Sequence, residues 1–419
     1  MHITIFAAGS QGDIQPCLRL GRGLQGSGFD VLLAAPQNFA GLSQGQGVPF
    51  HPLRGDVQAI MAGETGRKFM ERSGANPIRS IRAMRKMLRP IAMQMIEDAL
   101  EASRAAEAFI TLAVFTPFGS TIAEIRGIPL LLAEPTPVLP TGDFPAPGWF
   151  IQKNLGRTLN RFSGFGMLQI IWQWYRPFVN EFRSRYGLRP LQGSDFYRIL
   201  ASTPLLGAYS PTVIPHPRDW SDQVHVTGYW FQEDARDWKP SVELETFLEE
   251  GEPPVYVGFG SMAGRNPERI TRIVLEALAN SGQRGVLTTG WGGMNVMKVP
   301  KNVFVINAAP HDWLFPRMAA VVHHGGAGTT AEGLRAGAPT VVVPFTVDQP
   351  FWGNRVKTLG AGPEPVRVKK LNADRLAGAI QMAVTDTEMR ERAEGIGKAI
   401  RAEAGVGSAV NIVKHYLGA

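Results

Sequence analysis

A histidine, a glycine-rich turn and an acid–amide pair are the residues of this chain best suited to do chemistry. His324 directly precedes the turn at 325–328, and Asp348 and Gln349 follow further along. A glycine-rich turn at a helix N-terminus presents backbone N–H groups and the positive end of the helix dipole to a phosphate, and His324 adds a side-chain donor. A sugar beside its phosphate needs an acceptor and a donor, which Asp348 and Gln349 supply. We therefore predict a sugar-phosphate site, the alternative being an ordinary turn with a solvated histidine.

The elements that must position these residues alternate between strands and helices. Apolar runs predict strands at 2–8, 29–35, 48–53, 108–116, 128–133, 285–289, 303–306 and 340–343, and a further strand that begins at Pro254. Helical spacing of apolar residues predicts helices at 14–26, 64–106, 267–281, 331–336, 371–384, 388–404 and 408–417. This alternation is typical of parallel sheets, in which ligands lie beyond the carboxyl ends of the strands. Asp348 and Gln349 are predicted to lie in a loop.

The two halves of the chain begin in the same way. Each opens with a strand and a Gly/Ser turn, AAGSQGD at 7–13 and VGFGSM at 257–262, and a proline-rich stretch at 209–240 links them. We therefore expect an α/β protein of two Rossmann-like domains that face each other across a cleft. The expected bounds are 1–215 and 216–419, with a last helix at about 405–419 that packs back on the first domain.

The composition is that of a globular protein. The 419 residues are 44% hydrophobic and 19% charged, and the formal net charge of +7 suits an anionic ligand without demanding nucleic acid. Cys17 is the only cysteine, which excludes an internal disulfide and favours a reducing compartment. The first residues lack the features of a signal peptide, and no apolar run reaches the ~18 residues of a membrane span. We therefore expect a cytoplasmic protein.

Two segments allow two interpretations each. Basic residues are frequent in the helical stretch 67–104, which is either a solvated helix face or a peripheral contact with an anionic membrane. Aromatic residues crowd the stretch 149–186, after a proline-rich loop at 134–147. These aromatic residues form either protein core or the wall of an apolar ligand cleft.

Seven longer motifs together resemble one known family. The motifs are GSQGDIQP at 9–16, SPTVIPHPRDW at 210–220, VTGYW at 226–230, VYVGFGSM at 255–262, TGWGGM at 289–294, PHDWLFPRMAAVVHHGGAGTT at 310–330 and GLRAGAPTVVVPFTVDQPFWGNRV at 333–356. They resemble the UDP-glycosyltransferases of the GT-B fold, in particular the sterol 3β-glucosyltransferases and their bacterial relatives. The resemblance covers most of the chain. It implies an inverting, metal-independent transfer of a sugar from a UDP-sugar.

The resemblance also assigns donor-binding residues. Those matching the family's diphosphate contacts are His324, Gly326, Ala327, Gly328 and Thr329, with Ser10, Gln11 and Ser261 beside them. Glu332 matches the ribose-binding carboxylate, its alternative being a solvated helix residue. Asp348 and Gln349 match the pair that holds the sugar hydroxyls, and the glutamine favours glucose. The sequence contains no Asp-x-Asp loop, so we expect no metal and no cofactor beyond the UDP-glucose co-substrate.

Asp13 is, by the same resemblance, the catalytic base. An inverting transfer needs a base that takes the proton of the acceptor hydroxyl as the new bond forms. A shielded, apolar site would raise the basicity of the carboxylate. Many plant members use a histidine here, but this chain has none between His2 and His51. The alternative is that Asp13 only caps a helix that begins at Ile14.

Two positions depart from the family pattern. Gln11 stands where the sterol enzymes often carry an arginine, and Ala308 stands where plant members stack a tryptophan on uracil. The candidates for the uracil contact are His311, Trp291 and the backbone around Ala309.

The resemblance predicts transfer of glucose from UDP-glucose to a hydroxyl of a sterol or another apolar polycycle. The same chemistry on a macrolide, glycopeptide, terpenoid or flavonoid is the first alternative. A UDP-sugar 2-epimerase and a non-enzymatic binding module are less well matched to Asp13 and to the Asp348–Gln349 pair. A nicotinamide dehydrogenase is disfavoured because neither glycine turn has the G-x-G-x-x-G spacing with a following acidic residue.

Overall fold

Two parallel sheets organise the chain. The computed structural model describes residues 1–55, 77–231, 238–260, 267–289 and 299–419. Within these ranges the first sheet has seven strands in the order β3-β2-β1-β4-β5-β6-β7, and the second has five in the order β10-β9-β8-β11-β12. Every strand pair is parallel. The predicted fold class, two α/β domains with parallel sheets, is confirmed.

The strands are short and mostly buried, as in parallel sheets that helices cover on both faces. Those of the first sheet are β1 His2–Phe6, β2 Asp30–Pro36, β3 Phe50–Leu53, β4 Ala108–Leu112, β5 Leu130–Glu134, β6 Leu205–Gly207 and β7 Val224–Val226. Those of the second sheet are β8 Val255–Gly258, β9 Gly285–Thr288, β10 Val303–Ile306, β11 Ala320–His323 and β12 Thr340–Val342.

Helices connect the strands. In the first half they are α1 Gln11–Gln25, α2 Ala40–Gly45, α3 Pro77–Ala102, α4 Thr116–Arg126, α5 Arg157–Arg185 and α6 Gly193–Ser202. In the second half they are α7 Val242–Glu249, α8 Pro267–Ser281, α9 His311–Leu314, α10 Ala327–Ala336, α11 Gln349–Leu359, α12 Ala373–Thr385, α13 Thr387–Arg401 and α14 Gly405–Leu417.

Three of the differences between predicted and observed elements concern residues near the predicted site or the strands beside it. The strand predicted at 108–116 ends at Leu112, because residues 113–115 form a 3₁₀ turn that leads into α4. Helix α10 begins at Ala327 rather than at residue 331, because Gly326 is its N-cap residue and accepts the Thr330 N–H as the first helical bond. Gln349 is not in a loop but is the first residue of α11, and Asp348 is the N-cap residue of that helix.

The first sheet extends beyond residue 215, the predicted end of the first domain. Strand β7, which lies beyond that residue, pairs with β6 and completes the first sheet. Helix α14, from the end of the chain, also packs on the first domain. A Cβ at Gly23 in α1 would lie 2.4 Å from Val406 Cγ1 and 3.1 Å from Val410 Cγ2. Both ends of the chain therefore contribute to the first domain.

Candidate active site

The turn between β11 and α10 has the geometry of an anion-binding helix N-terminus. Gly326 is the N-cap residue, and the Thr330 N–H donates to the Gly326 carbonyl oxygen at 2.9 Å. The N–H groups of Ala327, Gly328 and Thr329 precede this bond in the helix, where backbone donors face outward from the helix end. Gly326, Ala327, Gly328 and Thr329, four of the residues predicted to contact a diphosphate, thus lie together at one helix N-terminus.

His324 lies between the two glycine turns of the second sheet. A Cβ at Gly326 would lie 2.7 Å from His324 Nε2, and one at Gly260, after β8, would lie 3.7 Å from His324 Cε1. His324 Nδ1 is buried and makes no hydrogen bond within the described part of the chain. Burial lowers the pKa of His324 to about 4. The ring is therefore neutral near neutral pH and offers one N–H donor to an anion.

The neighbouring His323 supports the turn from inside. Its side chain is fully buried, and its Nδ1 accepts a hydrogen bond of 2.9 Å from the Gly325 N–H. Gly325 has a φ of +90°, and a Cβ there would lie 2.6 Å from Val342 Cγ1, so glycine is required. Burial holds the pKa of His323 well below its usual value. His323 is thus a structural residue, and His324 is the one available to a ligand.

Asp348 and Gln349 lie directly beside this turn. A Cβ at Gly325 would be 3.1 Å from the Gln349 carbonyl oxygen. The Gln349 side-chain oxygen accepts the N–H groups of Phe345 at 2.8 Å and Thr346 at 3.0 Å, which fixes the loop before α11.

Asp348 is anchored and half-buried. Its Oδ2 accepts a hydrogen bond of 2.9 Å from Trp352 Nε1. Burial is the main reason that the pKa of Asp348 is raised to about 6, and the charge of Asp13 raises it further. A carboxylate held in this way is oriented to accept hydrogen bonds from a ligand beside the glycine-rich turn.

Asp13 stands at the third position of α1 and is not the helix cap. Ser10 is the N-cap residue, and its N–H and Oγ–H donate to Asp13 Oδ2 at 2.7 and 2.8 Å. Gly9, with a φ of +133°, leaves room for this carboxylate, since a Cβ there would lie 2.4 Å from Asp13 Oδ2. Ser10 and Gln11 are exposed at the N-terminus of α1. Burial raises the pKa of Asp13 although both bonds from Ser10 lower it.

Glu134 is a third acidic residue in this region, and we did not predict it. It ends β5 and is buried, and its Oε2 accepts the Val114 N–H at 3.3 Å. Burial raises the pKa of Glu134 well above its usual value, and the charges of Asp13 and Asp348 raise it further. The signal that could have identified Glu134 is an acidic residue at the end of an apolar strand.

Aromatic side chains line the region next to these carboxylates. Tyr175 of α5 packs on Phe118 with ring centroids 4.9 Å apart and on Phe115 at 5.9 Å, and Phe115 contacts Phe6 at 5.5 Å. Burial and the negative charges of Glu134 and Asp13 raise the pKa of Tyr175. These four rings, the aromatic cluster, therefore lie close to the predicted base.

The aromatic residues of the stretch 149–186 lie in three different environments. Trp172 and Phe182 are core residues, 2% and 1% exposed, whereas Tyr175 lies beside the carboxylates. Phe150 and Phe162 belong to neither group, because they are 78% and 65% exposed.

The residues predicted to bind the nucleoside lie around α9 and α10. The Glu332 side chain is only 11% exposed and lies 3.6 Å from Arg335 Nη1, so it is not the solvated helix residue of the alternative interpretation. The His311 ring stacks on Phe315 at 4.2 Å, and burial lowers its pKa to about 4. Ala309 is half-buried just before α9.

Other sequence predictions fall partly or wholly outside the described residues. Ser261 and Trp291 lie outside, as does the part of the basic stretch 67–104 before residue 77. In the remainder of that stretch, Arg89 pairs with Glu181 and Arg104 with Glu101.

The described ranges contain no group of three or more His, Cys, Asp or Glu arranged to hold a metal ion. Among the helices of these ranges, none combines the length and apolar character of a membrane span.

The site lies where ligands bind in open α/β sheets. In the first sheet β1 is flanked by β2 and β4, and Asp13 follows β1; in the second, β8 is flanked by β9 and β11, and His324 follows β11. The strand order reverses between β1 and β4 in the first sheet and between β8 and β11 in the second. Both turns therefore lie at crevices beyond the carboxyl ends of the strands. Two parallel-sheet α/β domains, with a glycine-rich helix N-terminus in one and a carboxylate in the other, are the architecture of the GT-B glycosyltransferases.

Comparisons with known proteins agree with this class. The model of the glycosyltransferase family 28 N-terminal domain matches residues 3–144, and that of the erythromycin biosynthesis protein CIII-like C-terminal domain matches residues 273–411. A sterol 3-beta-glucosyltransferase of Arabidopsis thaliana is 36% identical over the whole chain, which spans 68% of that protein. O-mycaminosyltylonolide 6-deoxyallosyltransferase of Streptomyces fradiae is also 36% identical, with 99% of this chain and 97% of that protein aligned.

A solved structure shows the same fold. The glycotransferase of kitacinnamycin superposes with a TM-score of 0.74 over 99% of both chains, at 21% identity. The chain therefore belongs to the GT-B glycosyltransferase family that includes the sterol 3-beta-glucosyltransferases, and it is a UDP-sugar glycosyltransferase.

Proposed function

We propose that this enzyme transfers glucose from UDP-glucose to a hydroxyl group of a sterol or similar apolar polycycle, with inversion at the anomeric carbon. One observation carries the proposal. Asp13 of the first domain lies within electrostatic reach of Asp348 of the second, with the aromatic cluster beside it. A base, a sugar-binding carboxylate and an apolar wall are the parts that such a transfer needs.

The donor would bind along the second domain. The N–H groups at the start of α10 and the neutral His324 ring would hold the diphosphate, and Ser10 and Gln11 would approach it from the N-terminus of α1. We assign the ribose hydroxyls to Glu332 and the glucose hydroxyls to Asp348 and the Gln349 amide. The uracil base would lie against the region of Ala309 and His311, and Ser261 would complete the diphosphate contacts.

Asp13 would act late in the transfer. As the acceptor oxygen bonds to the anomeric carbon it becomes acidic, and Asp13 takes its proton. Burial makes the carboxylate a stronger base, while the two hydrogen bonds from Ser10 fix its orientation. The negative charge that develops on the leaving diphosphate would be stabilised by donors already in place at α10. This arrangement motivates our proposal that the transfer is metal-independent.

A macrolide-like acceptor is the second candidate. It is favoured by the 36% identity to O-mycaminosyltylonolide 6-deoxyallosyltransferase along almost the full length of both proteins. The aromatic cluster suits either acceptor because both classes present large apolar surfaces.

The test is a transfer assay with a panel of acceptors. Purified enzyme is incubated with UDP-glucose, or with a dTDP-sugar, and with sterols, triterpenoids, macrolides and flavonoids, each in the presence and absence of EDTA. We expect a hexose mass added to a sterol, a β-anomeric signal by NMR, and no effect of EDTA. Transfer only to macrolides would establish the second candidate. A strict metal requirement or an α-linked product would contradict the proposed mechanism.

A further inference from the structure

Large apolar side chains are exposed where the loop after β5 joins α5. The exposed fractions are 78% for Phe150, 65% for Phe162, 53% for Leu159, 48% for Ile151 and 38% for Leu155. All five belong to one continuous segment, residues 150–162, which we call the 150–162 patch. Single exposed apolar residues are ordinary on protein surfaces, but a contiguous group marks an interaction site.

Hydrogen bonds fix the loop part of this patch. Asn160 Nδ2 donates to the Gly142 carbonyl oxygen and to Asn154 Oδ1, both at 2.9 Å, and Asn160 Oδ1 accepts the Leu155 N–H at 3.1 Å. Gln152 Nε2 donates to the Trp149 carbonyl oxygen at 2.7 Å. The apolar side chains are therefore held outward by an ordered loop, so a partner need not supply the free energy of ordering it.

The loop and the helix present one continuous face. A Cβ at Gly166 of α5 would lie 2.8 Å from the Trp149 ring, and Trp149 contacts Phe150 with centroids 5.4 Å apart. Phe162 precedes Gly166 by one helical turn, and Leu159 precedes Phe162 by another, so these positions share a helix face. Phe150 thus lies beside the exposed face of α5.

Basic residues are interspersed among the apolar ones. Lys153, Arg157 and Arg161 are exposed, and the stretch 149–165 contains no acidic residue. Asp143 lies 3.0 Å from Arg157 Nη1, and Arg161 helps to lower the pKa of Asp219. Each guanidinium has five N–H donors, so one carboxylate partner leaves donors for an anion.

A groove opens between these arginines. It is lined by Arg157, Arg161, Phe162, Phe165 and Asp219, among others. Guanidinium groups at the rim of an aromatic groove are suited to a phosphate attached to an apolar chain.

We propose that the 150–162 patch docks the enzyme on a bilayer that contains anionic phospholipid. A bilayer supplies an apolar layer beneath an anionic one, which matches protruding Phe, Leu and Ile side chains flanked by Lys and Arg. A symmetric contact with a second copy would instead bring the same cations together, which is unfavourable.

The patch also lies on the acceptor side of the site. A Cβ at Gly148 would lie 3.9 Å from the carbonyl oxygen of Val347, the residue before Asp348. If the proposed function is right, docking here would bring the cleft close to an acceptor dissolved in the bilayer. The exposed apolar side chains and the basic residues beside them favour docking whatever the enzyme transfers.

Vesicle flotation without donor or acceptor tests membrane docking independently of glucosyl transfer. The probes are phosphatidylcholine vesicles and equimolar phosphatidylcholine–phosphatidylglycerol vesicles. We expect the enzyme to float with the anionic vesicles. The triple variant Phe150→Ser, Leu159→Ser, Phe162→Ser should bind them at least about tenfold more weakly, since each change removes apolar area from the membrane contact. The matched control is Val242→Ser with Met382→Ser, 73% and 50% exposed in the second domain, and should bind like the wild type.

A variant without the three basic side chains separates the electrostatic contribution to vesicle binding from the apolar contribution. Lys153→Gln, Arg157→Gln and Arg161→Gln together should weaken binding to anionic vesicles by about a hundredfold, at about fivefold per residue, and should remove its salt dependence. Thermal melting checks that all variants remain folded. The proposal is overturned if the wild type floats with neither vesicle, or if the Ser triple variant floats as the wild type does. It is also overturned if sedimentation shows a dimer that the Ser triple variant disrupts without any vesicle binding.

Discussion

The charge of Asp13 raises the pKa of Asp348, although the two carboxylates belong to different domains. Asp13 lies in the first turn of α1 after β1, and Asp348 lies at the N-terminus of α11 after β12. Each is held by a donor of its own domain, Ser10 for Asp13 and Trp352 for Asp348. The two acids are therefore oriented independently and meet only because the domains are packed together, so the domain arrangement assembles the site.

The exchange of Asp13 for asparagine separates catalysis from binding. The asparagine side chain keeps an oxygen that can accept the Ser10 N–H, so the helix start stays capped, but it cannot take a proton. We expect kcat to fall by about 10²- to 10⁴-fold, while calorimetry shows unchanged UDP-glucose affinity. Asp30→Asn, at an exposed position that begins β2, is the control and should retain activity. An active Asp13→Asn enzyme would show that the base lies elsewhere.

His324 makes donor binding dependent on pH. Its pKa is about 4 in the free enzyme because the ring is buried, and a bound diphosphate should raise that pKa by favouring the charged form. UDP-glucose should therefore bind more tightly as pH falls below the bound-state pKa toward 4, with proton uptake. Calorimetry in two buffers with different ionisation enthalpies measures this uptake.

Two variants distinguish the roles of the His324 ring. His324→Ala should weaken UDP-glucose binding by about tenfold to a hundredfold, as expected for a hydrogen bond to a charged group. His324→Gln keeps a neutral donor and should retain more of the affinity at neutral pH while losing the proton uptake. Equal affinity of the wild type and His324→Ala would remove His324 from the diphosphate site.

The ionised form of Glu134 is disfavoured where this side chain lies. Burial and the charges of Asp13 and Asp348 all raise its pKa, so a neutral isostere should replace it. Glu134→Gln should therefore keep kcat at neutral pH within about threefold of the wild type. In the Asp13→Asn variant the pKa of Glu134 should fall, since a neighbouring negative charge has been removed. Carboxyl ¹³C NMR measures the pKa of Glu134 in the wild type and in the Asp13→Asn variant. A large loss of activity in Glu134→Gln, with an ionised wild-type signal, would make Glu134 a second base.

Much of the fold could be predicted because apolar runs mark buried strands and apolar periodicity marks helices. The predicted bounds 267–281 and 303–306 coincide with α8 and β10. The proximity of His324 to Asp348 was also predictable, because both follow neighbouring strands, β11 and β12, whose carboxyl ends meet at one edge of the sheet.

Other features could not be predicted from local pattern. The proximity of Glu134 to Asp13 depends on the strand order β1-β4-β5, which long-range packing decides. Helix α11 has Pro350 in its first turn and Gly353 within it, which masked its periodicity. The spacing of Ser10 and Asp13, by contrast, is that of a capping box and predicts Ser10 as the N-cap residue. The alternative interpretation of Asp13 as the helix cap arose because the apolar spacing begins at Ile14.

Val347 has a strained backbone conformation next to the Asp348–Gln349 pair. It has a φ of +52°, a left-handed conformation that β-branched residues rarely adopt, and it is 69% exposed. Val347→Asn should therefore raise the free energy of unfolding by about 1–2 kcal/mol, measured by urea denaturation, because asparagine tolerates this conformation. Strain beside a site persists where function uses it, so we expect kcat/KM for UDP-glucose to fall as stability rises. Val242→Asn, at a similarly exposed position without positive φ, should change neither quantity. A Val347→Asn enzyme with unchanged stability would show that the left-handed backbone is not strained.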